Sequence, residues 1–250
     1  MTLQGKHALI TGGGTGIGLA IAQMLVARGA HVTITGRRQE VLDEVATDGM
    51  TPLAMDVQNE ADVIAKIAAA VEAHGPIQIC VPNAGLATGK AAHKTDMTFW
   101  RDMMATNLDG AFLTIRESLK SMQTTDWGRV IAVSSMAGLK GLPGAACYSA
   151  SKHGMIGLIR SLSEEYMGKP YTFNSLCPGY VDTPIVTRNT KSISERAGIS
   201  EEDARNMMVK ANRHKRLITV DEVSAAAAWL VGEGSGSING QSIEIAGGMM

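Results

Sequence analysis

Short runs of apolar and β-branched residues alternate along this chain with longer stretches in which apolar positions recur every three or four residues. HALIT, from His7 to Thr11, is followed by GIGLAIAQMLVARG, then by HVTITG from His31 to Gly36 and by EVLDEVA. Strand, helix and strand in that order predict a βαβ unit. The alternation continues through TPLAMDV, ADVIAKIAAAVEAHG, IQICVPN, a helical stretch from Phe99 to Met122, GRVIAVSS, a helix opening near Tyr148, YTFNSLCPG, DEVSAAAAWLVG and QSIEIAGG. Repeated units of this kind predict an α/β fold with a doubly wound, mostly parallel sheet, helices on both faces, and ligands beyond the carboxyl ends of the strands.

One interval breaks the rhythm. From about Thr183 to Leu217 there is no strand pattern, and polar helical text such as SEEDARNMMVKANRHKR fills the gap. Connections in compact domains run to about 4 to 6 residues, so a helical substrate lid is expected here, with a surface helical hairpin as the alternative. The 250 residues contain no Pro/Ser/Gly-rich linker and no repeat, which predicts one domain over the whole chain, 1–250.

Lys and Arg number 23 against 24 Asp and Glu, a balance of −1 that offers no general attraction to nucleic acid or to an acidic membrane surface. No apolar run approaches the roughly 18 residues of a membrane span, and MTLQGKHALITGGG lacks the features of a secretory signal. A soluble cytoplasmic protein is expected. Cys80, Cys147 and Cys177 are odd in number and show no CxxC, so buried reduced thiols are expected. The six histidines lack HExxH-like spacing, and no catalytic metal is predicted.

The turn TGGGTGIG joins the first strand to the first helix and carries Gly12, Gly16 and Gly18, with Thr15 and Ile17 between them. Glycine is required where the backbone turns sharply or approaches a pyrophosphate, and a helix N-terminus favours the phosphate charge. A Rossmann-type dinucleotide site is implied, although the spacing is GxxxGxG rather than GxGxxG. An acidic residue at the end of the second strand would hold the ribose hydroxyls of NAD. Here the text is ITGRR: Gly36 takes that place, and Arg37 and Arg38 can grip a 2′-phosphate, which favours NADP(H) over NAD(H), with two solvated arginines opening a surface helix as the alternative. Further on, YSASK sets Tyr148 and Lys152 four residues apart, on one face of a helix, so that a phenol and an ammonium share one site.

With the glycine turn, PNAG from Pro82 to Gly85, Asn107, Ser135 and YSASK in this order, the chain resembles the short-chain dehydrogenase/reductase family from Lys6 to Gly248. The resemblance implies a catalytic tetrad of Asn107, Ser135, Tyr148 and Lys152. Tyr148 would be the acid in carbonyl reduction and the base in alcohol oxidation. Lys152 and the cationic nicotinamide of the oxidised cofactor would together lower the phenol pKa; Lys152 would also bind the nicotinamide ribose, Ser135 would polarise the carbonyl, and Asn107 would kink its helix and hold a relay water. The resemblance also implies cofactor contacts at Asp56, Val57, Asn83, Ala84, Gly85, Pro178, Gly179, Val181 and Thr183, and a homotetramer closed by SINGQSIEIAGG. Pro82 departs from the family pattern and removes a backbone donor.

The substrate pocket is expected from MAGLKGLPGAAC, Tyr180 and the lid, with Met136, Leu142, Cys147 and Met207 either as an apolar lining or as core residues. Arg205, Lys210, Arg213, His214, Lys215 and Arg216 make the lid basic, either to attract an anionic or phosphate-bearing substrate or simply as a solvated face. The motifs YSASKHG and CPGYVDTP look most like 3-oxoacyl-thioester and polyketide ketoreductases, implying reduction of a β-keto group with NADPH. The alternatives are a dehydrogenase of a small secondary alcohol or hydroxy acid, and a catalytically idle nucleotide-sensing protein on the same fold.

Overall fold

The structure is a computed structural model and describes residues 2–248. Its strands are β1 (His7–Thr11), β2 (His31–Gly36), β3 (Met50–Ala54), β4 (Ile77–Val81), β5 (Gly128–Val133), β6 (Tyr171–Pro178) and β7 (Ser242–Ile245). They form one seven-stranded sheet in the order β3-β2-β1-β4-β5-β6-β7, with every pairing parallel. The chain therefore winds outward from β1 to one edge, returns to β4, and winds to the other edge. The crevice between β1 and β4 is the switch point at which such sheets bind ligands.

Strand alternation divides the core. Ala8, Ile10, Val32, Ile34, Ile79, Val81, Ile131 and Val133 face α1 (Gly16–Ala27) and α9 (Val220–Leu230) through Ile21, Leu25, Val223 and Ala227. Leu9, Cys80, Val130, Ala132 and Phe173 face α3 (Glu60–His74), α5 (Gly110–Met122) and α6 (Ala146–Glu165). Both faces are apolar because both are covered, which is why these strands read as continuous hydrophobic runs. The short helix α2 (Gln39–Val45) leads to β3, an edge strand that tolerates Pro52 because it needs fewer ladder donors.

Several elements are shorter than their sequence patterns. β4 stops before Pro82, which has no N–H to donate; its carbonyl still accepts from Val133 N–H at 3.0 Å. The stretch expected as one helix from Phe99 to Met122 is α4 (Met97–Met104), a π-helical turn over Ala105–Asp109, and α5. Asn107 lies inside that turn and is fully buried. The interval after β6 contains α7 (Pro184–Ala197) and α8 (Glu201–Ala211), packed through Val186, Met208 and Leu217. A single bridge, Val181 to Ile218, ties the base of this excursion together. Cys80, Cys147 and Cys177 are buried free thiols.

Candidate active site

The glycine turn sits above β1, at the switch point. Gly12 has φ +65° and Gly16 φ +55°, backbone that a side chain resists. A Cβ at Gly18 would collide with the Gly12 carbonyl and the Asn83 amide, so tight packing requires glycine there as well. Thr15 leads into α1 without a side-chain cap, and the first turn holds no acidic residue, which leaves backbone N–H groups for an anion. Thr11 Oγ1 accepts from the N–H groups of Asn83 and Ala84, each at 3.0 Å, and Asn83 Nδ2 donates to the Thr11 carbonyl at 2.9 Å. The turn and the PNAG loop are thus held as one unit. Thr11 had no visible signal in the sequence, since nothing local marks a strand-end threonine as the support of a loop that lies far along the chain.

At the end of β2, Arg37 and Arg38 are exposed, and neither makes an ion pair among the described residues. Asp56 comes after β3; its carboxylate accepts from Gln58 N–H at 3.0 Å, and its own N–H donates to Asp62 at 2.7 Å. Val57 is buried against Gly110.

Ser135 comes after β5, while Tyr148 and Lys152 lie in the first turns of α6. These three line a cleft of about 360 Å³ together with Ile17, Asn83, Gly85, Pro178, Gly179, Val181 and Thr183. Ser135 is the polar neighbour that offers the Tyr148 hydroxyl a hydrogen-bonding partner. Burial nevertheless pushes the phenol above its ordinary value; the Ser135 bond opposes this, and the neighbouring Tyr180 and Cys177 add to the rise. Among the protein's own groups, desolvation outweighs the polar support that the phenol receives. Burial holds Lys152 down at about 8, and its ammonium donates to the Val133 carbonyl at 2.8 Å.

Asn107 is placed behind this cleft by the π-helical turn. Its Oδ1 accepts from Leu86 N–H at 2.7 Å, and its Nδ2 donates to the Leu86 carbonyl at 2.9 Å and to Ser151 Oγ at 3.1 Å. A Cβ at Gly85 would come within 3.3 Å of Asn107 Oδ1 and 3.7 Å of Lys152 Nζ, so these two groups approach each other across the glycine.

The rest of the cleft is formed by Leu86, Thr88, Met136, Leu142, Tyr180, Ile185, Val186, Asn189, Ile193 and Met208, among other residues. Met136 and Leu142 stand where expected. Cys147 does not line the cleft but is buried in α6, and Met207 is 57% exposed. Met208 takes the inward position because Ala204, one turn earlier, sets the buried face of α8. Ile185, Asn189 and Ile193 recur every four residues on α7, a helical face readable in the sequence and overlooked there. Arg205, Lys210, Arg213, His214, Lys215 and Arg216 are exposed, and none of the six lines the cleft. Arg205 pairs with Asp182 at 3.5 Å and Arg216 with Glu222 at 2.6 Å. Among the described residues no helix is long and apolar enough to cross a membrane.

The family model described as short chain dehydrogenase matches residues 6–194. The chain belongs to the short-chain dehydrogenase family. It is 35% identical to a D-beta-hydroxybutyrate dehydrogenase of Rhizobium meliloti, over 97% of this chain and 98% of the relative. It is 33% identical to a putative ketoacyl reductase of Streptomyces coelicolor, over 99% of this chain and 98% of the relative. A solved structure of an actinorhodin polyketide ketoreductase variant with NADPH superimposes with a TM-score of 0.94 at 32% identity, covering 98% of this chain and 97% of that one. As a short-chain dehydrogenase the protein is a nicotinamide-dependent oxidoreductase acting on CH–OH groups and interconverting a ketone and a secondary alcohol.

Proposed function

We propose that the protein reduces a β-keto compound, a 3-oxoacyl thioester or a close relative, with NADPH. The observation that carries this reading is the cleft itself: Ser135, Tyr148 and Lys152 converge at one end of a lining that is otherwise uncharged. When bound, the cofactor supplies a hydride to the carbonyl carbon and is thereby oxidised. As the C=O π pair moves onto oxygen, Ser135 stabilises the developing charge and Tyr148 gives up its phenolic proton to that oxygen. A phenol held above its ordinary value is fully protonated at neutral pH, which suits an acid in the reducing direction. Lys152 holds positive charge beside the site, and Asn107 keeps the Leu86 backbone in place at its rear. Gly12, Thr15, Gly16, Ile17 and Gly18 would receive the pyrophosphate, and Arg37 and Arg38 the 2′-phosphate. Asp56, Val57, Asn83, Ala84 and Gly85 would take the adenosine side, and Pro178, Gly179, Val181 and Thr183 the nicotinamide.

The second reading, oxidation of a small hydroxy acid, is favoured by the named activity of the Rhizobium relative. It is weakened by the cleft, where Lys152 is the only cation among the described residues and already donates to Val133. The homotetramer and cytoplasmic location belong to the same proposal. Phe112, 44% exposed on α5, and Ile64, 41% exposed on α3, supply apolar surface that association would cover.

The test is NADPH oxidation by the purified protein with β-keto esters and thioesters. The Tyr148→Phe variant should lose about 10²- to 10⁴-fold in kcat while binding NADPH with unchanged affinity. A wild-type protein that binds the cofactor and turns over no carbonyl compound would instead fit a nucleotide sensor.

A further inference from the structure

A second phenol, Tyr180, lines the cleft near Tyr148. Its hydroxyl makes no hydrogen bond to any described residue, and the side chain is only partly buried. Its backbone, by contrast, is held on both sides by Asn212, which is fully buried in the loop after α8. Tyr180 N–H donates to Asn212 Oδ1 at 3.0 Å, and Asn212 Nδ2 donates to the Tyr180 carbonyl at 2.9 Å and to the Arg216 carbonyl at 2.8 Å. The Tyr180 carbonyl also accepts from Ile218 N–H at 2.9 Å. The ring packs against Val186, Met208 and Leu217, which form the core of the lid. Tyr180 is thus a preorganised side chain with an unused donor at the junction of lid and site.

An uncharged β-keto ester or thioester has a second carbonyl two carbons from the one that is reduced. In an apolar cleft that oxygen loses its water, and without a donor the loss costs free energy. Building on the reductase reading above, we propose that Tyr180 donates a hydrogen bond to this second carbonyl and so selects neutral 1,3-dicarbonyl substrates. A monoketone leaves the phenol unpaired. A free β-keto acid would bury a carboxylate with no available cation, since Lys152 is committed to Val133. Asn189 is the rival donor: its amide also lines the cleft, but it sits mid-helix on α7 with nothing comparable to the Asn212 clamp.

The experiment compares kcat/KM for ethyl acetoacetate, for acetoacetate, and for the methyl ketone of equal length that lacks the ester carbonyl. Wild type, Tyr180→Phe and Asn189→Ala are assayed in parallel, with NADPH affinity and melting temperature as checks on folding. Wild type should prefer the ester to both other compounds. Tyr180→Phe should lose about tenfold more on the ester than on the monoketone, the size of one hydrogen bond. Equal losses on both ketones, or an ester-specific loss in Asn189→Ala alone, would overturn the assignment while leaving the reductase reading intact. Should wild type reduce none of the three or any thioester, both would fall together.

Discussion

Gly36 closes β2 at the position where a carboxylate would be needed to hold two ribose hydroxyls, and the two exposed arginines after it have no competing ion-pair partner among the described residues. Their identity was legible in ITGRR because it depends only on the residues adjoining a strand end. Replacing both Arg37 and Arg38 with alanine should weaken NADPH binding about tenfold to a hundredfold, the range for charge-assisted hydrogen bonds, and leave NADH binding nearly unchanged. Parallel fluorescence titrations would show this, and a wild-type preference for NADH would remove the arginines from the site. The pairing of Tyr148 with Lys152 was likewise legible from spacing, whereas Ser135 was indicated only by the family resemblance. The protonation behaviour was not: whether a phenol is raised or lowered depends on how much water the fold removes from it, and here burial prevails.

At the scale of elements, the excursion between β6 and α9 was visible as missing strand text, and its two helices match its polar periodicity. Which face of them meets the site was not visible, because that is decided by what α7 and α8 pack against. Val186, Ala204 and Met208 turn inward, which sends Arg205, Lys210 and Met207 to solvent. Asn212 fastens this unit to Tyr180. Truncating it in Asn212→Ala leaves the Tyr180 N–H without its acceptor in a buried setting, at a cost of about 1 to 3 kcal/mol. The expected outcome is a lower melting temperature together with a raised KM for the carbonyl substrate and little change in NADPH affinity. A stability loss without a KM effect would mean that the clamp supports the fold but not the cleft.

At the scale of the whole molecule, the carboxyl ends of the strands carry the cleft, and the amino ends gather three histidines. His7 donates through Nδ1 to the Gly75 carbonyl at 2.8 Å and accepts at Nε2 from Thr33 Oγ1 at 2.9 Å, which is the neutral ring. His31 and His74 stack with centroids 3.7 Å apart, and both reach Thr51 Oγ1 at 3.0 Å. Burial, with smaller contributions from its two neighbours, lowers His7 from 6.5 to about 4, and burial lowers His31 as well. Because the folded value lies below the unfolded one, this stability is complete above pH 6.5 and is lost as pH falls toward about 4. The loss from His7 should approach about 3 kcal/mol. Denaturant unfolding across that range should show it, with a shallower fall in His7→Gln, and parallel curves for the two proteins would exclude the cluster as the cause.

The alternation of strand and helix, the glycine turn, the arginines after β2 and the Tyr148–Lys152 spacing are local patterns, and the sequence alone determined them because each depends on neighbours in the chain. The tertiary structure decided the rest: Thr11 beneath the PNAG loop, Asn212 behind Tyr180, Met208 rather than Met207 in the cleft, and the shifted proton affinities of Tyr148, Lys152 and His7. The physical reason is common to all of them. Burial and hydrogen-bond partnership are set by residues distant in the chain, and they exist only once the sheet and its helices have closed around one another.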